Sequence, residues 1–227
     1  MISKHKPVQV EPMRAYYAAR ASEYDRVYQK PERQGDLATL RAWLPTLFTG
    51  ATLLEIACGT GYWTQFIAPA ASNVLAFDIA PETLAIAKSR VSHAHVRFVT
   101  ADAYHPPRDH GKFNAGFAGF WFSHVPVAQR RAFFSGLATV LEPGARVVLL
   151  DNLYIEGSST PLSETDADGN TYQTRLLENR STHRVLKNFP AEAELHAAIV
   201  NSGRDGGFTR FNYFWVFEFF VESSQPC

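Results

Sequence analysis

The chain has 227 residues, of which 46% are hydrophobic, and this length suits one domain with a sizeable buried core. Lysine plus arginine and aspartate plus glutamate each number 22, so there is no net basic field to hold a nucleic-acid backbone. Two cysteines do not make a disulfide framework, and no apolar run reaches the ~18 residues of a membrane span. Because the first residues carry charge but no apolar signal core, we expect a cytoplasmic location without membrane attachment.

Two helices are predicted ahead of the first strand. Residues 12–28 form an amphipathic pattern that brings Tyr17, Tyr24 and Tyr28 close to one face. This stripe predicts either contact with a ligand or packing against the core. Residues 34–47 have leucines at spacings of three and four, which is the pattern of a helix packed on the core.

The most informative stretch is LLEIACGTGYWT, residues 53–64. Its apolar run contains Glu55 and leads into a turn with Gly59 and Gly61, which predicts a buried parallel strand ending in a tight turn. Glycine permits positive φ and a close ligand, and nucleotide-like ligands bind at this edge of open α/β sheets. A phosphate loop would need a lysine after the glycines, and a dinucleotide fingerprint would need glycine in place of Thr64. Both of those sites are disfavoured.

The string E-x-A-C-G-T-G resembles motif I of the class I S-adenosylmethionine-dependent methyltransferases, and later features follow in that family's order. A second strand, residues 73–77, ends at Asp78 and Ile79. The resemblance implies that Asp78 accepts hydrogen bonds from both ribose hydroxyls of the cofactor, which suits a carboxylate with two acceptor oxygens. A third strand leads to Asp102 and Ala103, where the family's Asp meets the adenine amine and the next backbone amide meets the ring.

The remaining core strands are predicted over residues 113–120 and 146–150, with a helix between them and a turn at residues 141–144. The family has L-x-P-G-G or close variants at this turn, and this chain has Ala145 in place of the second glycine. The resemblance therefore covers residues 50–152 motif by motif. It implies a Rossmann-like, doubly wound α/β fold in three α/β/α layers, with a seven-stranded sheet whose last strand is antiparallel.

An insertion follows the fifth strand. Its first part, residues 153–171, is rich in Gly, Ser, Thr and Asp and predicts a mobile loop, and residues 172–178 and 182–189 then predict a β-hairpin. We interpret this insertion as a lid over an acceptor pocket, with a dimerisation arm or a surface ornament as the alternative. Its Arg175, with His183 and Lys187, could hold an anionic acceptor group or could form a solvated face.

A final helix is predicted to begin at Pro190 and to end at Gly203, and residues 208–222 predict two closing strands. We therefore expect a single domain. Its parts are a helical cover (residues 1–48), a cofactor-binding core (49–152), the loop and hairpin lid (153–189) and the closing helix and strands (190–227).

The resemblance implies transfer of a methyl group from S-adenosylmethionine to an O, N, S or C nucleophile of a small molecule, with S-adenosylhomocysteine as product. A protein or peptide methyltransferase and a non-catalytic relative that binds the cofactor are the alternatives. Nucleic-acid amine methyltransferases have an N/D-P-P-Y/F string where this chain has GFWFSHVP, so no nucleic-acid partner is expected. No membrane partner is expected either, and association of two copies is left open.

His124 follows the fourth strand and is the candidate general base, with packing or capping as its alternative role. No spaced Cys/His cluster or paired carboxylates predict a metal site. The expected cofactor-binding residues are Tyr24, Glu55, Ala57, Gly59, Thr60, Gly61, Asp78, Ile79, Asp102, Ala103 and Phe120. The expected acceptor-binding residues are Tyr17, Trp121, Asp151, Asn152 and Arg175.

Overall fold

A computed structural model describes residues 20–222 of the chain, apart from the side chains of residues 21 and 22. Within this range the predicted doubly wound sheet is confirmed: seven strands lie in the order β3-β2-β1-β4-β5-β10-β9. The first five pair in parallel, and β10 runs antiparallel to both β5 and β9. The strands are β1 (Thr52–Ile56), β2 (Asn73–Asp78), β3 (Val96–Thr100), β4 (Phe113–Gly119), β5 (Leu141–Asn152), β9 (Gly203–Arg210) and β10 (Phe214–Val221).

Helices cover both faces of this sheet. They are α1 (Gln34–Trp43), α2 (Thr64–Ile67), α3 (Pro81–Arg90), α4 (Arg130–Ala138) and α5 (Glu192–Ile199). One buried cluster joins the sheet to α4 and α5 through Phe133 and Leu195, and a second joins the opposite face to α1 through Leu37 and Leu40. The sheet is therefore apolar on both faces, as a doubly wound fold requires. The β1/β2/β4 carboxyl ends meet at one edge because these strands are parallel, and there the chain turns towards helices.

The amino-terminal helices differ from the prediction. Residues 12–19 of the first lie outside the described residues, and Ala21–Tyr28 forms a 3₁₀ helix. The second ends as an α-helix at Trp43 and continues as a 3₁₀ turn over Leu44–Phe48. Pro45 lacks a backbone N–H, which explains why regular α-helical hydrogen bonding stops here.

Two other predicted boundaries were wrong. The predicted turn at residues 141–144 is part of β5, which begins at Leu141 and takes a register shift opposite residues 113–115, with Gly144 at φ +78°. Pro and Gly are typical both of turns and of irregular strands, which explains why the sequence predicts a turn here. The last helix ends at Ile199, since Asn201 adopts φ +70°, and Gly203 is instead the first residue of β9.

The insertion forms a small antiparallel sheet of β6 (Glu164–Thr165), β7 (Thr171–Leu176) and β8 (Thr182–Leu186). The predicted hairpin is present as β7 and β8, with Tyr172 opposite Leu186 and Leu176 opposite Thr182. The stretch that predicted only a loop contributes β6. Among residues 20–222, no helix is long and apolar enough to cross a membrane.

Candidate active site

The turn after β1 takes an unusual backbone path. Ala57, Gly59 and Gly61 have φ values of +50°, +55° and +72°, a region that favours glycine. A Cβ on Gly59 would lie 3.5 Å from the Tyr24 ring, so this ring covers the turn. A Cβ on Gly61 would lie 3.0 Å from the Cβ of Ala87 in α3. Gly59 therefore keeps space beside a cavity, whereas Gly61 allows the turn to pack against a helix.

Asp78 links the end of β2 to this turn. Its Oδ2 accepts a hydrogen bond from the Gly59 backbone N–H at 2.9 Å, and its Oδ1 accepts bonds from the Ala80 N–H at 2.9 Å and the Thr83 hydroxyl at 3.2 Å. Burial raises the pKa of Asp78, and these donors oppose the increase. A carboxylate in this position has lone pairs left for a ligand's hydroxyl donors.

Asp102 lies at the carboxyl side of β3. Its Oδ1 accepts a hydrogen bond from the Tyr104 backbone N–H at 3.0 Å, and its Oδ2 lies 3.2 Å from Nδ1 of His105. The side chain keeps 26% of its surface exposed. These contacts fix the carboxylate at the end of β3, where it faces the same cavity as Asp78.

A cavity of about 290 Å³ lies at this edge of the sheet. The carboxylates of Asp78 and Asp102, the glycine turn and the aromatic walls fit a nucleoside with hydroxyl and amine donors. The predicted cofactor-binding residues that line it are Tyr24, Ala57, Gly59, Asp78, Ile79, Asp102, Ala103 and Phe120, and Trp121 and His124 line it too.

Three predicted cofactor-binding residues lie behind this cavity. Glu55, Thr60 and Gly61 are absent from its lining. Glu55 is buried under the turn, and burial raises its pKa to about 8, with the Thr64 hydroxyl opposing the increase. The motif therefore mixes residues that face the cavity with residues that hold the turn, and the sequence pattern does not separate them.

The 3₁₀ helix over Ala21–Tyr28 is tied to the turn by a polar cluster. The Thr60 hydroxyl donates to Oδ1 of Asp25 at 2.6 Å, and Arg90 of α3 donates to the Thr60 carbonyl at 2.8 Å. Arg90 also pairs with the Asp25 carboxylate. Sequence reasoning missed Asp25 and Arg90, which are 65 residues apart, and no local pattern connects them. The cluster positions Tyr24 over Gly59.

A second cavity of about 370 Å³ adjoins the first. Tyr24, Phe120 and His124 line both cavities and so form the wall between them. Asn152 and Arg175, two predicted acceptor-binding residues, line the second cavity. Trp121 lines only the first, and Tyr17 lies outside the described residues.

His124 is buried in the shared wall. Its Nδ1 lies 2.5 Å from the Leu186 carbonyl, which can only accept, so Nδ1 carries the proton and donates. Burial lowers the pKa of His124 well below 6.5, and repulsion from Lys187 lowers it further. The imidazole is therefore neutral near pH 7, with Nε2 unprotonated and only weakly basic.

Asp151 was expected to contact an acceptor, and the structure contradicts this. Its side chain is fully buried and lines neither cavity. Its carboxylate accepts hydrogen bonds from Lys187 Nζ at 2.7 Å, the Ser123 N–H at 2.9 Å and the Asn152 N–H at 2.8 Å. Lys187 is correspondingly buried rather than part of a solvated hairpin face. The pair joins β5 to the inserted sheet.

The inserted segment also borders the first cavity. Asp166, Asp168 and Asn170 belong to its lining, and Asn170 Oδ1 accepts a hydrogen bond from the Val127 N–H at 2.8 Å. Sequence reasoning identified this polar stretch as a loop but could not place it over the cofactor side. Within residues 20–222, no group of three or more His, Cys, Asp or Glu side chains is arranged to hold a metal ion.

A family model described as a methyltransferase domain matches residues 53–144, the span from β1 to the start of β5. Over these residues the chain has a methyltransferase domain, similar to that of the class I S-adenosylmethionine-dependent methyltransferases. The demethylmenaquinone methyltransferase of Clavibacter sepedonicus is 31% identical over 151 residues, covering 64% of this chain and 59% of the relative. The ubiquinone biosynthesis O-methyltransferase of Xanthomonas axonopodis pv. citri is 28% identical over 157 residues, covering 68% and 62%. The chain thus spans less than two thirds of the length of these curated relatives.

The match to solved structures extends over nearly the whole chain. DhpI, solved as a SAM-HEP complex, superposes with a TM-score of 0.74 at 27% identity, covering 95% of this chain and 99% of DhpI. The DhpI-SAH complex gives a TM-score of 0.72 at the same identity, with 93% and 96% covered.

Proposed function

We propose that this chain transfers a methyl group from S-adenosylmethionine, held in the first cavity, to a small molecule held in the second. The observation that carries the proposal is the wall that the two cavities share, formed by Tyr24, Phe120 and His124. A methyl donor in the first cavity and a methyl acceptor in the second would therefore meet at this wall. The cofactor supplies an electrophilic methyl group on a cationic sulfur.

The residues of the first cavity suit the parts of that cofactor. Asp78 offers carboxylate oxygens to ribose hydroxyls, and Asp102 offers an acceptor to the adenine amine. The Ala103 backbone N–H is the corresponding donor for the ring. Gly59 leaves room for the ligand beside Tyr24. These assignments follow the family resemblance, and the positions of the side chains in one cavity support them.

The reaction depends mainly on aligning the acceptor atom with the methyl group of the cofactor. It depends less on acid, base or nucleophilic groups of the protein. A lone pair of the acceptor forms the new bond to the methyl carbon while the carbon–sulfur bond breaks, and that electron pair stays on sulfur. Neutral acceptors also lose a proton. His124 is the titratable side chain in the shared wall besides Tyr24, but its lowered pKa makes it a poor proton acceptor. We propose that His124 mainly shapes the wall.

The cover and the inserted sheet would exclude water from the reaction. The Asp25–Arg90 pair holds the cover on the turn, and the Lys187–Asp151 pair holds the inserted sheet on β5. Excluding water strengthens electrostatic interactions at the reacting atoms and prevents side reactions. We therefore propose that residues 153–189 act as the lid expected from the sequence.

A small-molecule acceptor is favoured over a protein or peptide. A cavity of about 370 Å³ is in the range of small-ligand sites. The curated relatives carry quinone-pathway names, and those substrates are properties of the relatives. For this chain, a cytoplasmic location and self-association stay predictions.

Calorimetry with S-adenosylmethionine, S-adenosylhomocysteine and NAD tests the cofactor assignment. We expect both sulfur nucleosides to bind and NAD not to bind. The Asp78→Ala variant should lose cofactor affinity, whereas Asp109→Ala, a carboxylate in an exposed loop outside both cavities, should keep it. Tight NAD binding, or equal affinity in both variants, would refute the proposal.

A further inference from the structure

The second cavity is rich in positive charge. Among residues 20–222, Glu23 is the one acidic side chain in its lining. Its basic lining residues are Arg20, Arg26, Lys30, Arg33, Arg175 and Lys187. Because the whole chain has equal numbers of basic and acidic residues, this excess is local to the cavity. A concave site of one charge sign concentrates ligands of the opposite sign.

Two of these cations already have carboxylate partners. Arg26 pairs with Glu178 at the tip of the hairpin and lies 3.9 Å from Glu23. Lys187 pairs with the buried Asp151 at 2.7 Å. These ion pairs join the cover and the lid to each other and to the rest of the domain. A structural role therefore explains two of the positive charges in the cavity. Arg33 and Lys30 have partners of a different kind.

Arg33 and Lys30 bind neutral oxygen atoms. The buried Arg33 guanidinium donates to Asn152 Oδ1 at 2.9 Å and to the Ser158 hydroxyl and carbonyl at 3.0 and 3.2 Å, and Lys30 donates to that same carbonyl. Among the described residues, neither forms an ion pair within 4.0 Å. The exposed Glu32 accepts a hydrogen bond from the Ser158 hydroxyl at 2.7 Å and acts on them only through space.

The cations around the cavity also repel one another. Burial lowers the pKa of Lys30, and the neighbouring Arg33 lowers it further. Burial likewise lowers the pKa of Lys187, with Asp151 opposing the change and Arg175 and Arg33 adding to it. Keeping like charges together in a half-enclosed space is unfavourable. A bound anion would remove this cost, whereas a neutral ligand would not.

We propose that the methyl acceptor carries an oxyanion group, such as a carboxylate or a phosphoryl group, and binds in the second cavity against Lys30, Arg33 and Arg175. This inference rests on the proposed function, since it assigns the acceptor to that cavity. A planar guanidinium such as that of Arg175 can match two oxygens of such a group, and Arg33 and Lys30 add positive charge. The rest of the acceptor then extends towards the wall of Phe120 and His124.

Inorganic phosphate and sulfate are direct probes of this site. In calorimetric titrations of protein saturated with S-adenosylhomocysteine, we expect saturable binding of one anion per chain, weakened by added chloride. The variants Lys30→Gln and Arg175→Gln should each weaken this binding by about tenfold or more, because each removes a charged hydrogen-bond donor. Arg180→Gln, at the exposed tip of the same hairpin and outside both cavities, is the matched control and should bind like the parent.

The outcomes separate the two proposals. Anion binding that is absent, or that is the same in all three variants, overturns the oxyanion inference, even if S-adenosylhomocysteine binds normally. Failure of S-adenosylhomocysteine to bind the parent chain counts instead against the proposed function. The nucleoside affinity and melting temperature of each variant show whether it is folded, and Lys30 and Arg175 lie on different segments, so loss of one variant leaves the other as a test.

Discussion

Replacing Gly59 by valine tests the geometry of the turn. At φ +55°, a residue with a Cβ costs roughly 1–2 kcal/mol, which is small beside the roughly 5–15 kcal/mol that stabilises an ordinary domain. The fold should therefore survive. The new Cβ would lie 3.5 Å from the Tyr24 ring, and each γ-carbon extends about 1.5 Å beyond it, into the ring or the cavity.

This crowding sets the expected loss of cofactor affinity. Overpacking a well-filled site costs about 1–3 kcal/mol, which corresponds to roughly a 5- to 150-fold increase in Kd. We expect calorimetry to show a Kd for S-adenosylmethionine that is about 5- to 150-fold higher in Gly59→Val. Thermal unfolding should show a decrease in Tm of roughly 2–8 °C from the backbone strain.

Gly111→Val is the matched control. Gly111 also has positive φ, +84°, but no atom lies within 4 Å of its potential Cβ, and it lines neither cavity. It should show a similar change in Tm with unchanged cofactor affinity. If the two variants bind S-adenosylmethionine equally well, the cofactor does not lie beside the turn and the site has been placed wrongly.

Four further substitutions test other parts of the site. Asp78→Asn should weaken S-adenosylmethionine binding in calorimetry, because one ribose acceptor becomes an amide donor; unchanged affinity would contradict that contact. Burial raises the pKa of Glu55 to about 8, so the unfolding free energy should fall as pH rises from 5 to 8, by up to about 4 kcal/mol, and Glu55→Gln should abolish this slope in denaturant titrations. Asp151→Asn should cost about 3–5 kcal/mol by leaving Lys187 unpaired, and adding Lys187→Met should restore part of it; additive losses in this cycle would argue against the pair. His124→Ala should lower turnover by less than about a hundredfold, and a larger loss at unchanged cofactor affinity would assign it as the general base.

Much of the cofactor side followed from local sequence. The apolar run into Gly59, and the acids at the ends of the next two strands, depend on residues close together in the chain. Parallel strands then bring Asp78 and Asp102 to one edge, so the topology alone puts them in one cavity. These local patterns could not show that the Glu55 side chain faces away from the cavity. The direction of that side chain depends on how the strand packs against the elements above and below it.

The acceptor side was decided by contacts between distant segments. From the sequence, Asp151 and Arg175 are equally good candidates for acceptor binding, because both are polar residues near the predicted pocket. Tertiary structure buried Asp151 against Lys187, 36 residues away, and left Arg175 in the second cavity. Likewise, Arg33 lies directly before the predicted core helix, and no functional role was predicted for it from the sequence. The excess positive charge of the cavity comes from side chains of segments that are far apart in the chain, so no local sequence pattern predicts it.

The sequence by itself, through its motifs and their resemblance to a known family, therefore determined the fold class and the edge of the sheet at which Asp78 and Asp102 lie, since short-range patterning and strand order bring these residues there. Only the tertiary structure decided which side chains form the wall between the cavities, which charges are neutralised and where a positive excess remains. The physical reason is that burial and charge pairing depend on which surfaces meet after folding, and in this chain the cover, the lid and the end of β5 meet across more than a hundred residues.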